Sequence, residues 1–248
     1  MDYRDKNFMS ASVGGVESTY DEGLRSFMLG VYNYMASALA LTGVFAYLAA
    51  NYPPVMNALY AQTANGHLTH TALGTLVMFA PIAFILILNF GINKLSTIAA
   101  QGVFWGFAAV MGLSVSSIFF AYTGESIMRV FFITAIMFGS VSMWGYATKR
   151  DLTGMGHFMM MGLFGIIIAS IANIWVGSSA LQFGVSILGV VIFTGLTAYD
   201  TQKMKSIYYQ VSGSADLAGK YAIMGAVNLY LDFLNLFMFL LSFFGDRK

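Results

Sequence analysis

Seven long apolar stretches constrain this chain more than any other feature of its sequence. They cover residues 26–50, 72–90, 97–122, 127–147, 155–176, 180–201 and 220–244. Each is close to the roughly 20 residues that an α-helix needs to cross the hydrocarbon of a bilayer. Helices fit these stretches because a segment in lipid must satisfy its own backbone polar groups. The sequence therefore predicts an all-α polytopic membrane protein with seven transmembrane helices.

The charge content supports this class and excludes several others. Only 9 % of the 248 residues are charged, whereas a soluble domain carries about 25 %. The formal net charge of +1 argues against nucleic acid as a partner. The chain has no cysteine, so disulfides, thiol catalysis and cysteine metal sites are excluded. We expect a monomer in contact with membrane lipid, with no cofactor.

The distribution of positive charge predicts how the chain crosses the membrane. Residues 1–25 are polar and contain no apolar core of the signal-peptide type. We therefore divide the chain into a flexible N-terminal tail, 1–25, and a transmembrane domain, 26–248. Nine of the twelve Lys and Arg residues fall on the side of the tail and three on the other side. The positive-inside rule then places the N-terminus in the cytoplasm and the C-terminus outside.

Two carboxylates lie in the last two apolar stretches, which are otherwise typical of membrane-embedded helices. Asp200 stands where the sixth apolar run ends, and Asp232 lies within the seventh, in VNLYLDFLNLF. An ionisable group inside a membrane helix costs roughly 2.5–3.5 kcal/mol on insertion scales, so its default interpretation is a functional site. Because the two lie on consecutive helices, we expect them to share one site.

The spacing of nearby polar residues supports a shared site. Gly225, Asn228, Asp232 and Asn235 follow a 3-4-3 spacing, which places them on one narrow helix face. If this face meets that of Asp200, two carboxyls lie together in a low-dielectric environment and titrate as a unit around one shared proton. Such a pair suits a proton-controlled gate or a cation site. The alternative is that the aspartates only cap and pin their helices.

The polar side chains expected to support the pair are Thr197, Tyr199, Gln202, Asn228 and Asn235.

For the two carboxyls to reach the same depth, the sixth helix must continue past Gln202 or the seventh must start late. Residues 203–208 can continue the sixth helix at the interface, because their lysines can snorkel to water.

Other polar residues suggest weaker candidates. Glu125 and Arg129 have the i,i+4 spacing of an ion pair, either fixing helix depth or acting at an outer mouth. His67 and His70 form H-x-x-H in the first external loop without a third ligand nearby, so we expect solvated histidines. His157 falls at the predicted cytoplasmic interface. With no G-x-S-x-G and no Gly-rich nucleotide loop, we predict no enzyme.

Three segments resemble one known family. FTGLTAYDTQKMKSIY (193–208), AVNLYLDFLNLF (226–237) and SMWGYATKRDLTGMGHF (142–158) are similar to segments of the Bax inhibitor family, the transmembrane Bax inhibitor motif proteins, in its bacterial type. The resemblance covers nearly all of the chain beyond the tail. TKRDL and the absence of a targeting segment favour a bacterial inner (plasma) membrane.

The resemblance implies a fold and a function. The fold has the last helix at the centre, surrounded by the other six. The function is a pH-sensitive calcium leak gated by a hydrogen-bonded aspartate pair, which would be Asp200 and Asp232. The proton-sharing state keeps the path shut, deprotonation opens it, and calcium passes the two carboxyls as the transported ion. Some bacterial members also bind a membrane-anchored AAA protease and restrain it.

One departure from the family pattern concerns the gate. Some bacterial relatives carry an arginine in the second helix that latches onto the first aspartate, whereas residues 72–90 contain no Arg or Lys. Lys94 or Asn89 is a candidate replacement.

A further alternative is an intramembrane aspartyl protease, because Tyr199-Asp200 and a second aspartate resemble presenilin-like enzymes. That class has G-x-G-D at its second motif, where this chain has Leu229-Tyr230-Leu231-Asp232.

Overall fold

The computed structural model describes residues 3–63 and 68–248, and within the first helix it describes side chains from Glu22 onward. In chain order its elements are α1 (Tyr3–Asn51), α2 (Pro53–Leu59), β1 (Tyr60–Gln62), β2 (Leu68–His70), α3 (Ala72–Gly91), α4 (Thr97–Val115), α5 (Ile118–Ala121), α6 (Gly124–Ala147), α7 (Thr153–Val176), α8 (Ser179–Val211) and α9 (Ala215–Phe244).

Seven spans among the described residues are long and apolar enough to cross a membrane. They are Glu22–Asn51, Ala72–Gly91, Thr97–Ala121, Gly124–Ala147, Thr153–Val176, Ser179–Val211 and Ala215–Phe244. The predicted all-α class with seven transmembrane helices is therefore confirmed, and the chain is an integral membrane protein.

Short polar residues set where most of these helices begin. A Ser or Thr hydroxyl at the N-cap accepts a hydrogen bond from a backbone N–H in the first turn, which satisfies a donor that the helix leaves unpaired. The caps are Thr71 for α3, Ser96 for α4, Thr123 for α6, Ser178 for α8 and Ser214 for α9. At the end of α7, Gly177 has φ +64°, a conformation that favours glycine.

The last helix is the most buried span. Half of the residues in the most apolar part of α9 are buried, the largest share among the seven spans. It packs against α1, α3, α4, α6 and α8, whereas α7 packs mainly against α8. The predicted ring of six helices around α9 is therefore not confirmed, because α7 packs mainly against α8.

Two helices, α1 and α8, extend beyond the apolar stretches 26–50 and 180–201. α1 begins at Tyr3, and Leu24, which we assigned to the tail, is 2 % exposed and belongs to the core. The cytoplasmic position of the tail stays a prediction. α8 continues to Val211, which confirms that residues 203–208 extend the sixth helix.

The loop between the first two spans is more ordered than its sequence suggests. β1 and β2 pair as an antiparallel hairpin with Tyr60 opposite His70, and their rings lie 5.1 Å apart. The Tyr60 hydroxyl lies 2.8 Å from the Ser116 Oγ. His70 is therefore half-buried against a tyrosine and not solvated as expected. His67 lies outside the described residues.

The C-terminus folds back over the start of α6. The N–H of Thr123 donates to the carbonyl of Asp246, and the N–H of Lys248 donates to the carbonyl of Ala121. This brings the Asp246 carboxylate 2.7 Å from Arg129. The predicted Glu125–Arg129 pair is therefore wrong, because the folded-back terminus presents a different carboxylate to the guanidinium.

Candidate functional site

The structure brings Asp200 and Asp232 together. α8 and α9 are joined by a short turn and run antiparallel, and the two carboxyls lie within hydrogen-bonding reach of each other. Asp232 is only 5 % exposed, and Asp200 is partly buried. Each aspartate comes from a different helix, so the site exists only where α8 and α9 pack.

The hydrogen-bonding chemistry of this pair depends on a proton. Ionised carboxylates only accept hydrogen bonds, and the Oδ2 atom of Asp232 is buried without a donor among the described groups. A hydrogen bond between the two side chains therefore requires that one carboxyl carry a proton. Without it, two acceptors and two negative charges face each other.

A cavity of about 470 Å³ opens onto the pair between α7, α8 and α9. Its polar lining includes both aspartates together with Asn228 and Asn235, which lie one helical turn on either side of Asp232. α7 supplies mainly apolar side chains and one hydroxyl, Ser170. The polar face of α9 therefore borders a space large enough for water or a hydrated ion.

The other three predicted supporting residues do not line this cavity. Thr197 is fully buried and donates to the carbonyl of Phe193. Tyr199 packs its ring against Gly156 of α7. Successive helical residues point in different directions, so neighbours of Asp200 in sequence need not share its face.

Gln202 has a structural role on a second face of α8. Its Oε1 accepts from the N–H of Leu152 at 2.8 Å, and its Nε2 donates to the carbonyl of Arg150 at 2.7 Å. It holds the loop between α6 and α7 against α8, outside the aspartate cavity.

Neither candidate for the missing arginine latch contacts Asp200. Lys94 is exposed, and Asn89 donates to the carbonyl of Ile85 in its own helix. The cation that acts electrostatically on both carboxyls is Lys203, one helical turn beyond Asp200. Neither expectation for the latch is met, because the end of α3 packs away from this cavity.

Two further cavities continue from the aspartates toward the opposite end of α8. One of about 390 Å³ shares Ser170 and Phe239 with the aspartate cavity. The next, of about 220 Å³, shares Gln182, Ser186 and Ser242 with it. The series ends beside Ser179 and Arg247, where α8 begins and α9 has ended. Polar side chains therefore border a row of neighbouring cavities along α8 and α9.

Several residues in and around this site escaped prediction from the sequence. Ser142 of α6 lies 2.6 Å from the Tyr32 hydroxyl of α1 and 2.8 Å from the Thr201 hydroxyl of α8. Thr201 directly follows Asp200, so this network fixes α8 beside the pair. Ser170 and Ser242 were also missed, and their only sequence signal is a small polar residue within an apolar helix.

The remaining candidates do not assemble a metal site. No group of three His, Asp or Glu side chains comes together among the described residues. His157 is exposed in the first turns of α7, away from the cavity lining.

Fold and site together define a seven-helix membrane protein with a buried carboxyl pair between its last two helices. The sequence model of the family described as Inhibitor of apoptosis-promoting Bax1 matches residues 24–248. The chain belongs to this Bax inhibitor family, as the resemblance in the sequence predicted. It is not known as a family of enzymes.

Full-length relatives support this assignment. A protein of Rickettsia prowazekii is 46 % identical over 230 residues, which cover 93 % of this chain and 93 % of that protein. A protein of Caulobacter vibrioides is 43 % identical over 232 residues, covering 94 % and 93 %. The inner membrane protein YbhL of Escherichia coli is 42 % identical over 228 residues, covering 91 % and 94 %.

Proposed function

We propose that this protein is a pH-sensitive leak for calcium, or for cations more generally, gated by Asp200 and Asp232. The observation that carries the proposal is the carboxyl pair facing a cavity that is followed, beyond Ser170 and then Ser186, by two neighbouring cavities toward the end of the bundle. Carboxylate and amide oxygens are the ligands that calcium prefers, and Asn228 and Asn235 add amide oxygens beside the carboxyls.

The proposed gate depends on one proton that the Asp200 and Asp232 carboxyls share. With a proton between them, the two carboxyls hold α8 and α9 together, and the pair carries one negative charge. When the proton leaves, two like charges repel in a low-dielectric environment, and their oxygens become available to a cation. The lining residues of α7 carry no ionisable group that could neutralise the second charge. The leak should therefore be larger at neutral than at acidic pH.

The side of the membrane toward which the cavities open depends on the orientation of the chain. We place the N-terminus in the cytoplasm and the C-terminus outside, in a bacterial inner membrane, by the positive-inside rule. The E. coli relative carries the name inner membrane protein. In this orientation the cavities that end beside Arg247 open toward the outside, and the aspartate pair lies between them and the cytoplasm.

Calcium flux into liposomes tests the proposal. The purified protein is reconstituted around a calcium-sensitive dye, and influx is followed at acidic and neutral pH. We expect Asp200→Asn and Asp232→Asn each to abolish the pH dependence, because one titratable carboxyl of the pair is gone. Asp216→Asn is the matched control, since Asp216 is an exposed carboxylate of the same helix paired with Lys220. Unaltered pH-dependent flux in both pair variants would refute the gate.

We also propose that the protein binds a membrane-anchored AAA protease through its cytoplasmic face. One observation favours this second role. α1 begins at Tyr3, and residues 3–25 are polar, so the helix extends beyond the apolar stretch 26–50. Deletion of residues 1–20 should remove the protease from the co-purified material. Failure of the full-length protein to retain a protease would count against this role.

A further inference from the structure

A second cavity, larger than the aspartate cavity and sharing no residue with it, opens between α1 and α6. Its volume is about 800 Å³. Its walls are apolar side chains such as Met28, Leu39 and Phe131, and small residues, among them Ala36 and Gly139, leave the space between the two helices unfilled. We call this space the α1–α6 groove.

The polar atoms within the groove already have partners. Tyr32 and Ser142 both line it, and their hydroxyls are hydrogen-bonded to each other at 2.6 Å, with Ser142 also bonded to Thr201. A ligand inside the groove therefore meets apolar surface with satisfied hydroxyls. This suits a hydrocarbon chain and not a polar solute.

One end of the groove is basic. Arg25 lines it and is exposed. At the same end, the Lys205 ammonium lies 4.9 Å from the ring centroid of Tyr146, another lining residue, and donates to the carbonyl of that tyrosine. Neither cation forms an ion pair with a carboxylate whose side chain is described. The end therefore offers positive charge to an anion.

The length of the groove matches one leaflet of a bilayer. From Arg25 to Ala40, both lining residues, the distance along α1 is about 22 Å at the rise of an α-helix. One leaflet with its head groups is about 20–22 Å thick. A transmembrane helix of another protein would need a groove of twice this length, so the dimensions favour a lipid.

We propose that the α1–α6 groove binds one anionic phospholipid, with an acyl chain between the helices and the phosphate at Arg25, the cation that lines the groove. The positive-inside orientation puts this end at the cytoplasmic leaflet, which carries anionic lipid. Phe233, next to Asp232, and Ser142, bonded to the residue after Asp200, both line the groove. A bound acyl chain therefore contacts α9 directly at Phe233, and it contacts α8 indirectly through Ser142. The lipid site does not depend on the proposed leak.

Photocrosslinking of lipids tests the site. Full-length protein is reconstituted with phosphatidylglycerol or phosphatidylcholine that carries a diazirine in its acyl chain, and the labelled peptides are identified by mass spectrometry. We expect phosphatidylglycerol to label groove residues of α1 and α6 more strongly than phosphatidylcholine does. Arg25→Gln should reduce that preference by about fivefold, the effect of one cation near an anionic lipid surface.

Two glycine variants separate the groove from the general lipid surface. A Cβ added at Gly139 meets no atom within 4 Å, so Gly139→Leu should fill the groove without strain and abolish labelling there. Gly43→Leu is the matched control, because Gly43 is equally open but lies outside the groove lining. If Gly139→Leu folds poorly, Ala40→Leu fills the same space.

Three results would overturn the proposal. They are equal labelling by the two lipids in the unaltered protein, unchanged groove labelling in the filled variants, and disulfide crosslinking of Ala36→Cys between two copies in the membrane. The last result would show that a second copy of the chain occupies the groove. It would be unambiguous because the chain has no natural cysteine.

Discussion

At the scale of single residues, neighbours in sequence have separate tasks around the aspartate pair. Asp200 faces a cavity, Thr201 is fully buried against Ser142, and Gln202 holds a loop. Each step along the helix turns the side chain by about 100°, so three consecutive residues meet three different surroundings. A variant at any of them therefore tests one task only.

The Ser142 hydroxyl should contribute measurably to stability. Ser142→Ala removes two hydrogen bonds between helices and the partner of the Tyr32 hydroxyl, whereas Thr201 still donates to the carbonyl of Thr197; we expect a cost of about 1–2 kcal/mol. Ser140→Ala is the control, since Ser140 is exposed and bonds only to its own helix at Ile136. Thermal unfolding in detergent measures the difference. Equal stability of the two variants would contradict the role of the network.

Arg129 should couple to Asp246 and not to Glu125. The ion pair is exposed, so its contribution should stay below about 1 kcal/mol. A double-mutant cycle of Arg129→Gln and Asp246→Asn should show coupling of this order, and the cycle with Glu125→Gln should show none. The readout is the unfolding temperature, supported by thiol labelling of Lys248→Cys to report release of the C-terminus. Coupling to Glu125 would restore the pairing expected from the sequence.

At the scale of elements, the position of α8 depends on close approach at small residues. A Cβ added at Gly145 of α6 would lie 2.4 Å from the carbonyl oxygen of Ala198 in α8. Ala198 is two residues before Asp200, so the contact fixes the height and rotation of the helix that carries the first carboxyl. Tyr199 against Gly156 has the same effect on the side of α7.

Enlarging Gly145 should therefore displace α8. The added methyl group in Gly145→Ala would push the backbones of α6 and α8 apart. We expect this overpacking to destabilise the protein by about 1–3 kcal/mol. Gly139→Ala in the same helix has open space around the added methyl group and should be neutral or slightly stabilising through helix propensity. Unfolding temperature and pH-dependent flux are measured for both. A neutral Gly145→Ala would show that α8 does not depend on this contact.

At the scale of the whole molecule, the cavities make a route that no single element contains. The aspartate cavity is lined by three helices, and its outer neighbours add residues from the start of α8 and the end of α9. Such a route arises because α7 packs mainly on α8 and leaves the polar face of α9 uncovered.

Blocking the route away from the aspartates should reduce flux without altering its pH dependence. Ser242 belongs to both outer cavities and lies 3.2 Å from Ser186. Ser242→Leu should lower calcium flux several-fold, because a bulky apolar side chain replaces the hydroxyl at the junction. Ser140→Leu, on the exposed face of α6, is the control. Undiminished flux through Ser242→Leu would place the ion path elsewhere.

Much of the secondary structure and both aspartates could be predicted from the sequence. Apolar runs of membrane length and Ser or Thr caps are local signals, and a carboxylate in such a run stands out by its cost alone. The pairing of Arg129 with Asp246, and the separation of Tyr199 and Gln202 from the cavity, could not be predicted, because both depend on which surfaces meet after folding.

The sequence by itself therefore determined the class of protein, the seven spans and the family, since each follows from composition, periodicity and motifs along one chain. Only the tertiary structure decided that the Asp200 and Asp232 carboxyls reach one depth, that Asn228 and Asn235 share a cavity with them, and that a separate apolar groove opens between α1 and α6. The physical reason is that helix formation is local, whereas cavities and carboxyl pairs depend on the rotation and depth at which helices pack.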